Sequence, residues 1–300
     1  MRIAEYLAHK SLTCLSLIVT LHVLSPHTKI GYQLGCLDKV LVVAYTGSSH
    51  PITRSLLNIK KGIFMGLIDI TFNVFSDTPK GKDPDSYSPT LRKFHQILWS
   101  KPLPCGFKFD LDLDTPRLLH HKSQLGEFIL SSNAIGHTYK DVKKMAHIVD
   151  QLPDGELDAF FHTCTTIGGF IIFPANRLEK KLTINGARGF SQKIADRIDL
   201  TLECIRRFYL QDSSPLSEVL ERYSDFFALF EDFKGYVDFF LLQDLVEDNY
   251  AKIKFCHPFN GFEFSPNPKN MEEYLIFKRN MLNFMNSRNR RIKSYGESNL

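Results

Sequence analysis

Three hundred residues, 43% hydrophobic and 23% charged, exclude a disordered or fibrous chain and supply enough apolar side chains for a sizeable core. The net charge of +4 is unevenly placed: residues 1–64 hold seven Lys/Arg against two acids, whereas residues 65–300 hold 30 against 31. Residues 65–300 therefore lack the general basic footprint of a nucleic-acid binder.

The aromatics divide in the same way, with four in residues 1–64 and 33 in the remainder, so the Phe-rich part reads as the folding unit. Within the first part, Leu12 to Leu24 form a 13-residue apolar stretch after Arg2 and Lys10. That length suits a signal-peptide core and falls short of the roughly 20 residues needed to cross a bilayer. No small-x-small cleavage site follows, and Glu5 and His22 interrupt the pattern. Another explanation is that translation starts at Met65, because Lys60-Lys61-Gly62 require a purine run where a bacterial ribosome-binding site would lie. Residues 1–64 are accordingly expected to be a dispensable or mis-assigned extension, and no membrane span is expected.

From Met65 the elements are expected as follows. Ile68, Ile70, Phe72 and Val74 alternate with polar residues, which predicts a strand. After a Pro/Gly/Asp loop at 76–85, Ser88 caps a short helix beginning at Pro89 and ending at Trp99. Phe107, Phe109, Leu111 and Leu113 alternate with Lys108, Asp110, Asp112 and Asp114, which predicts a second strand. Glu127–Ser131 and Thr166–Phe173 are further strands, the latter apolar enough to be buried on both faces.

After Pro174 the pattern becomes helical. Gln192–Leu210 is amphipathic, with Asp196, Asp199, Glu203 and Arg207 on its polar side. Ser214-Pro215 opens another helix carrying Phe226, Phe227 and Phe230, and Gly235 separates it from a central Tyr236–Val246 helix. Asn270 with Glu273 marks the cap of a last helix that ends in a basic tail. The expected fold class is α+β: a small sheet in the N-terminal half packed with a mainly helical C-terminal half, in a single domain over 65–300.

The segments DTPKGKDPDSYSPTLRKFHQILWSKPLP (77–104), LGEFILSS (125–132), TIGGFIIFP (166–174), INGARGFSQKIADRIDLTLECIRRFY (184–209) and FKGYVDFFLLQDLV (233–246) resemble a widespread bacterial family of uncharacterised proteins. The resemblance covers essentially all of 65–300, stops short of 1–64, and implies a bacterial cytosolic protein without implying an activity.

P-loop, dinucleotide-binding and nucleophile-elbow motifs are absent. The six cysteines show no C-x-x-C pair and no zinc-ligand spacing, which reads as reduced cytosolic thiols, and neither metal nor cofactor is expected. The strongest polar constellation is Arg177, Asn185, Arg188, Asp196 and Arg197. There a turn at 185–189 before a helix N-terminus could hold a phosphate or carboxylate; alternatively Arg188 pairs structurally with Asp196. Asp110, Asp112 and Asp114 form a carboxylate ladder on one strand face, read as edge protection before cation binding. His137 with Tyr139 offers a general base beside a phenol, whereas Cys164 and Cys204 lie in apolar surroundings that leave them inert. Arg279, Arg288, Arg290, Arg291 and Lys293 form a basic patch read as a solubilising helix end.

Two functions of different class follow. The first is a non-enzymatic binding or interaction protein of the bacterial cytosol, whose partner docks on a Phe-rich surface or at the Arg188 turn. The alternative is an enzyme acting on a phosphate-bearing substrate, nucleotide or nucleic acid, with Arg177, Arg188 and Arg197 as clamp. That enzyme needs Arg188, Asp196 and at least one of His137, His162 or Asp83 to line one concave pocket.

Overall fold

The computed structural model describes residues 68–298 together with the backbone of an antiparallel hairpin, β1 (Tyr32–Leu37) and β2 (Val40–Tyr45). The chain divides into two compact units, Met1–Gly62 and Ile63–Leu300. The hairpin belongs to the first unit, pairs Tyr32 with Tyr45, and has no counterpart among the elements expected before Met65. The apolar stretch 12–24, the alternative start at Met65 and the dispensability expected of 1–64 otherwise lie outside the described residues.

The second unit is a mixed α+β domain. The stretch expected as its first strand, Ile68–Val74, is instead a turn followed by a short 3-10 segment at Val74–Ser76. The Asp69 carboxylate accepts from both the N–H and the hydroxyl of Thr71, at 2.8 and 2.7 Å. Such a local bond closes a turn more readily than a strand can find a partner. The helices α1 (Pro84–Tyr87) and α2 (Pro89–Trp99) follow, and Ser88 caps α2 by accepting from Leu91 N–H at 3.1 Å.

The second expected strand is mostly irregular. Only β4 (Lys108–Phe109) pairs, against β3 (Lys101–Pro102), and Asp112 bridges singly to His120. Its alternation still governs burial at Phe109 and Leu111, although Phe107 faces solvent. The main sheet is antiparallel in the order β5 (Leu119–Ser123), β6 (Gly126–Ala134), β7 (Phe170–Pro174). All five residues of β7 are buried, as its apolar composition requires. Between β6 and β7 run α3 (Ala146–Val149) and α4 (Glu156–Cys164).

The C-terminal half contains α5 (Ile184–Phe190), α6 (Ile198–Tyr209), α7 (Ser217–Glu221), α8 (Ser224–Ala228), α9 (Phe233–Phe239) and the long α10 (Met271–Ser298). Three expectations change here. Residues 185–189 are helical, because Thr183 caps α5 and Ile184 and Arg188, one turn apart, both face the core. The Gln192 helix starts only at Ile198, since Ala195 and Asp196 take left-handed backbone angles (φ 48° and 57°). The Tyr236 helix begins earlier, at Phe233, where Asp232 caps it through Gly235 N–H, and it stops at left-handed Leu241 rather than running to Val246.

The central placement of that segment holds. Phe239 and Phe240 pack with Trp99, Phe226, Phe230 and Tyr236 at ring-centroid distances of 4.9 to 6.5 Å. Helix α10 reaches this core closely enough that a Cβ on Gly168 would lie 2.5 Å from Asn289 Oδ1, which instead accepts from Gly168 N–H at 2.8 Å. The basic tail is also revised: Arg288 is fully buried and donates to the carbonyls of Gly168, Phe170 and Phe240, while Arg291 pairs with Asp244.

Candidate functional site

The turn from α5 into α6 carries two arginine–aspartate pairs built very differently. Arg197 is 2% exposed and grips Asp199 in a two-pronged pair, with its Nε 3.0 Å from Asp199 Oδ1. Its remaining N–H groups reach Pro266 O at 2.7 Å, His257 O at 3.0 Å and His257 Nδ1 at 3.4 Å. Asp199 also accepts from Cys256 N–H, and His257 Nε2 meets Glu273 at 3.0 Å. Every donor and acceptor of this pair is engaged inside the protein. Asp199 and Glu203, expected on a solvated helix face, are buried because Arg197 pairs with the first and Arg206 and Arg207 with the second.

Arg188 is fully buried but only partly engaged. Its Nε donates to Thr201 Oγ1 at 2.9 Å, Nη1 to Asn185 Oδ1 at 3.2 Å and Nη2 to the Asp196 carbonyl at 3.0 Å. A guanidinium has five N–H groups, so these three bonds leave two. Asp196 Oδ1 lies 3.1 Å from Nη2 without hydrogen-bond alignment, and its side chain is 39% exposed. Burial lowers the Arg188 pKa, with Asp196 acting in the opposite direction. Of the remaining anion-site candidates, Arg177 and Asn185 are exposed, and Arg197 turns its fork to Asp199.

A second line of polar contacts converges on the same place from α1, α2 and β6. The indole N–H of Trp99 donates to His95 Nδ1 at 2.9 Å. Because an indole can only donate, the neutral ring of His95 carries its proton on Nε2 and donates to Ser132 Oγ, 2.8 Å away. The hydroxyl proton of Ser132 is thereby directed at Asp85 Oδ1, at 3.2 Å. Burial, with Arg288 nearby, lowers His95 to about 3, so its ring stays neutral across the physiological range. Asp85 is raised from 3.8 to about 7, first by burial and then by Asp83; Ser132, the Ala134 N–H and Arg188 act against the rise.

His137 and Tyr139, which follow β6, complete the cluster. Their rings meet at a centroid distance of 4.5 Å. Burial lowers the His137 pKa, Asp196 and Asp141 raise it, and Arg188 lowers it, which places those charges around one imidazole. Tyr139 is 1% exposed, sits in left-handed backbone (φ 61°), and has a hydroxyl with no hydrogen-bond partner among the described residues. A bulky side chain at positive φ is strained, and such strain concentrates at functional sites. The fully buried Tyr236, within electrostatic reach of Arg188, has an equally unpartnered hydroxyl.

The other sequence candidates lie elsewhere or in simpler settings. Asp83 caps α1, and His162 is exposed on α4. Asp110 pairs with Lys108, and Asp112 with His120. Among the described residues no three His, Cys, Asp or Glu side chains gather as a metal site. Burial raises Cys164 and Cys204 to about 12. An open hollow of about 440 Å³ is lined by Cys105, Leu125, Phe128 and Leu229, with Glu127 and Asp225, and contains no member of the Asp85 cluster. Among the described residues no helix is long and apolar enough to cross a membrane.

Fold and site together define a mixed α+β domain with a part-buried acid–base cluster at the junction of β6, α1 and the α5–α6 turn. The chain belongs to a family of unknown function, DUF6994, which it matches across residues 68–292. No curated protein and no solved structure matches it. The sequence reading reached Arg188, Asp196, His137 and Tyr139 but gave no site role to Ser132, His95 or Tyr236. One signal was present: His95 and Trp99, four residues apart on the apolar side of α2, are placed to bond inside the core.

Proposed function

We propose that this domain is an enzyme whose general acid–base is Asp85. The observation that supports this reading is the directed chain Trp99, His95, Ser132, Asp85, which delivers an oriented carboxyl group within electrostatic reach of Arg188. Holding that carboxyl with a pKa near neutrality works against the fold, because an amide at the same position would bond Ser132 without any cost of burying charge. A perturbed acid held by ordered partners, next to strained backbone and a buried arginine, is the arrangement acid–base catalysis needs. Ser132 resembles a nucleophile only by residue type: its proton goes to Asp85, and His95 donates to it rather than accepting from it. The chemistry therefore resides in Asp85, which gives a proton to a substrate oxygen or nitrogen and recovers it.

The alternative of a non-enzymatic interaction protein draws support from Phe75 and Phe161, stacked at 5.7 Å and each nearly half exposed. Most of the other phenylalanines are in the core, which reduces the Phe-rich surface expected of a docking protein. A bacterial cytosolic setting is proposed from the family resemblance and from the four cysteines among the described residues, which are unpaired.

Chromogenic esters, anilides and phosphomonoesters offered to the full chain and to Asp85→Asn test the enzyme reading. The expected result is turnover with a pH limb near 7, reduced about 10²–10⁴-fold in the variant. Turnover unaffected by Asp85→Asn, or no turnover of any substrate class, overturns it.

A further inference from the structure

The line of hydrogen bonds that ends on Asp85 begins at Trp99 and passes through buried side chains. Trp99 and His95 are fully buried and Ser132 is 4% exposed, so each N–H and O–H along it takes its partner inside the protein. His95 and Trp99 stand one turn apart on α2 with their rings stacked at 6.4 Å. Phe239 and Phe240 pack against the indole at ring-centroid distances of 6.1 and 5.3 Å. The indole is thereby held with its Nε1 2.9 Å from His95 Nδ1.

The direction of these bonds follows from the donors each group owns. An indole nitrogen donates and never accepts, a neutral imidazole has one donor and one acceptor, and a hydroxyl has a single proton. With Nδ1 accepting from Trp99, His95 donates from Nε2 to Ser132 Oγ at 2.8 Å, and Ser132 directs its proton at Asp85 Oδ1 at 3.2 Å. Without the indole N–H the same line can run backwards. A protonated Asp85 would then donate to Ser132, and Ser132 to Nε2 of a ring that carries its proton on Nδ1.

We infer that Trp99 is a positioning residue for Asp85: acting through His95 and Ser132, its N–H locks the line in one direction and confines the exchangeable proton of Asp85 to Oδ2. A neutral carboxyl accepts best through its carbonyl oxygen, and the oxygen that accepts from Ser132 is Oδ1. The proton therefore lies on Oδ2, and is given and recovered there. When Oδ2 loses it, the Ser132 bond at Oδ1 is already in place to stabilise the carboxylate, and no side chain has to reorient. The inference rests on the reading of Asp85 as the acid–base group and adds to it the residue that decides which oxygen works.

Trp99 is the single tryptophan of the chain, so biosynthetic replacement of tryptophan by benzothienylalanine, in which sulfur stands where the indole has its N–H, alters this position alone. The ring keeps its shape, and the packing against Phe239 and Phe240 with it. Nitrogen NMR of the full parent chain should show the His95 proton on Nε2 throughout the titration of Asp85. In the replaced protein the Nδ1–H form should appear as Asp85 takes up its proton, and the proton affinity of Asp85 should rise roughly tenfold, the worth of one hydrogen bond to the charged form. The other groups that act on Asp85, which are Asp83 at the cap of α1, Arg188 on α5 and the Ala134 N–H of β6, are unchanged by the replacement. Ser132→Ala is the second variant: it removes one partner of His95 and leaves the indole, so the ring should keep its proton on Nε2. A His95 tautomer indifferent to loss of the indole N–H, one that changes in Ser132→Ala instead, or an Asp85 affinity unaltered in the replaced protein overturns the proposal. Turnover that survives Asp85→Asn, with His95 and Asp85 responding as expected, would sink the acid–base reading and leave the direction of the line standing.

Discussion

The pairs Arg197–Asp199 and Arg188–Asp196 come from one stretch of twelve residues, use the same two residue types, and have opposite characters. In the first, each N–H has an acceptor, both carboxylate oxygens are bonded, and two other chain segments, Cys256-His257 and Pro266, contribute. In the second, Asp196 Oδ1 lies 3.1 Å from the guanidinium without an aligned hydrogen bond, the Asp196 side chain is 39% exposed, and its backbone is left-handed. A buried ion pair that serves the fold is complete within the protein, because only full satisfaction offsets its desolvation. The second pair instead leaves one carboxylate oxygen without an aligned donor and its acid partly in solvent.

That contrast can be broken by mutation. The largest effect should come from Arg197→Ala, which strands the fully buried Asp199 carboxylate and should cost about 3–5 kcal/mol in denaturant unfolding. A loss below about 1 kcal/mol would show that the closed pair does not hold the fold. Arg188→Ala should cost less, about 1–3 kcal/mol, because its partly exposed partner Asp196 can be hydrated. Equal costs at the two sites would erase the distinction.

An effect of opposite sign should come from Asp85→Asn. Raised from 3.8 to about 7, Asp85 holds its proton in the folded state where the unfolded chain has lost it. Its contribution to stability therefore falls as pH rises through that window. Asn removes the penalty, which a rise of this size puts at about 4 kcal/mol, so the variant should melt on the order of 10 °C above the parent at pH 8 and show no such advantage near pH 4. The opposite pH trend would mean that Asp85 is stabilised as an anion.

Where sequence reading succeeded, local chemistry decided the outcome. Ser88-Pro89 opens α2, the apolar run of β7 is buried throughout, and Asn270 caps α10 through Glu273 N–H. It failed where a residue's role depends on a distant partner. Asn185-Gly186 and Gly189 read as a turn, yet α5 forms because Arg188 finds Thr201 and Asp196 across the fold. Charge at Asp199 and Arg288 read as exposure, yet both are buried against backbone groups 57 and 120 residues away. The Asp85 chain joins residues 47 and 37 positions apart, a juxtaposition no periodicity encodes.

The central claim is that Asp85 is a proton-transferring carboxyl held by Ser132, and carboxyl-carbon NMR of the full chain tests it most directly. With the Asp85 resonance assigned by its loss in Asp85→Asn, the account predicts a midpoint near 7. It also predicts a further rise in Ser132→Ala, because the Ser132 hydroxyl bond favours the carboxylate. A midpoint below about 5, in the ordinary carboxylate range, or one indifferent to Ser132→Ala, would contradict it.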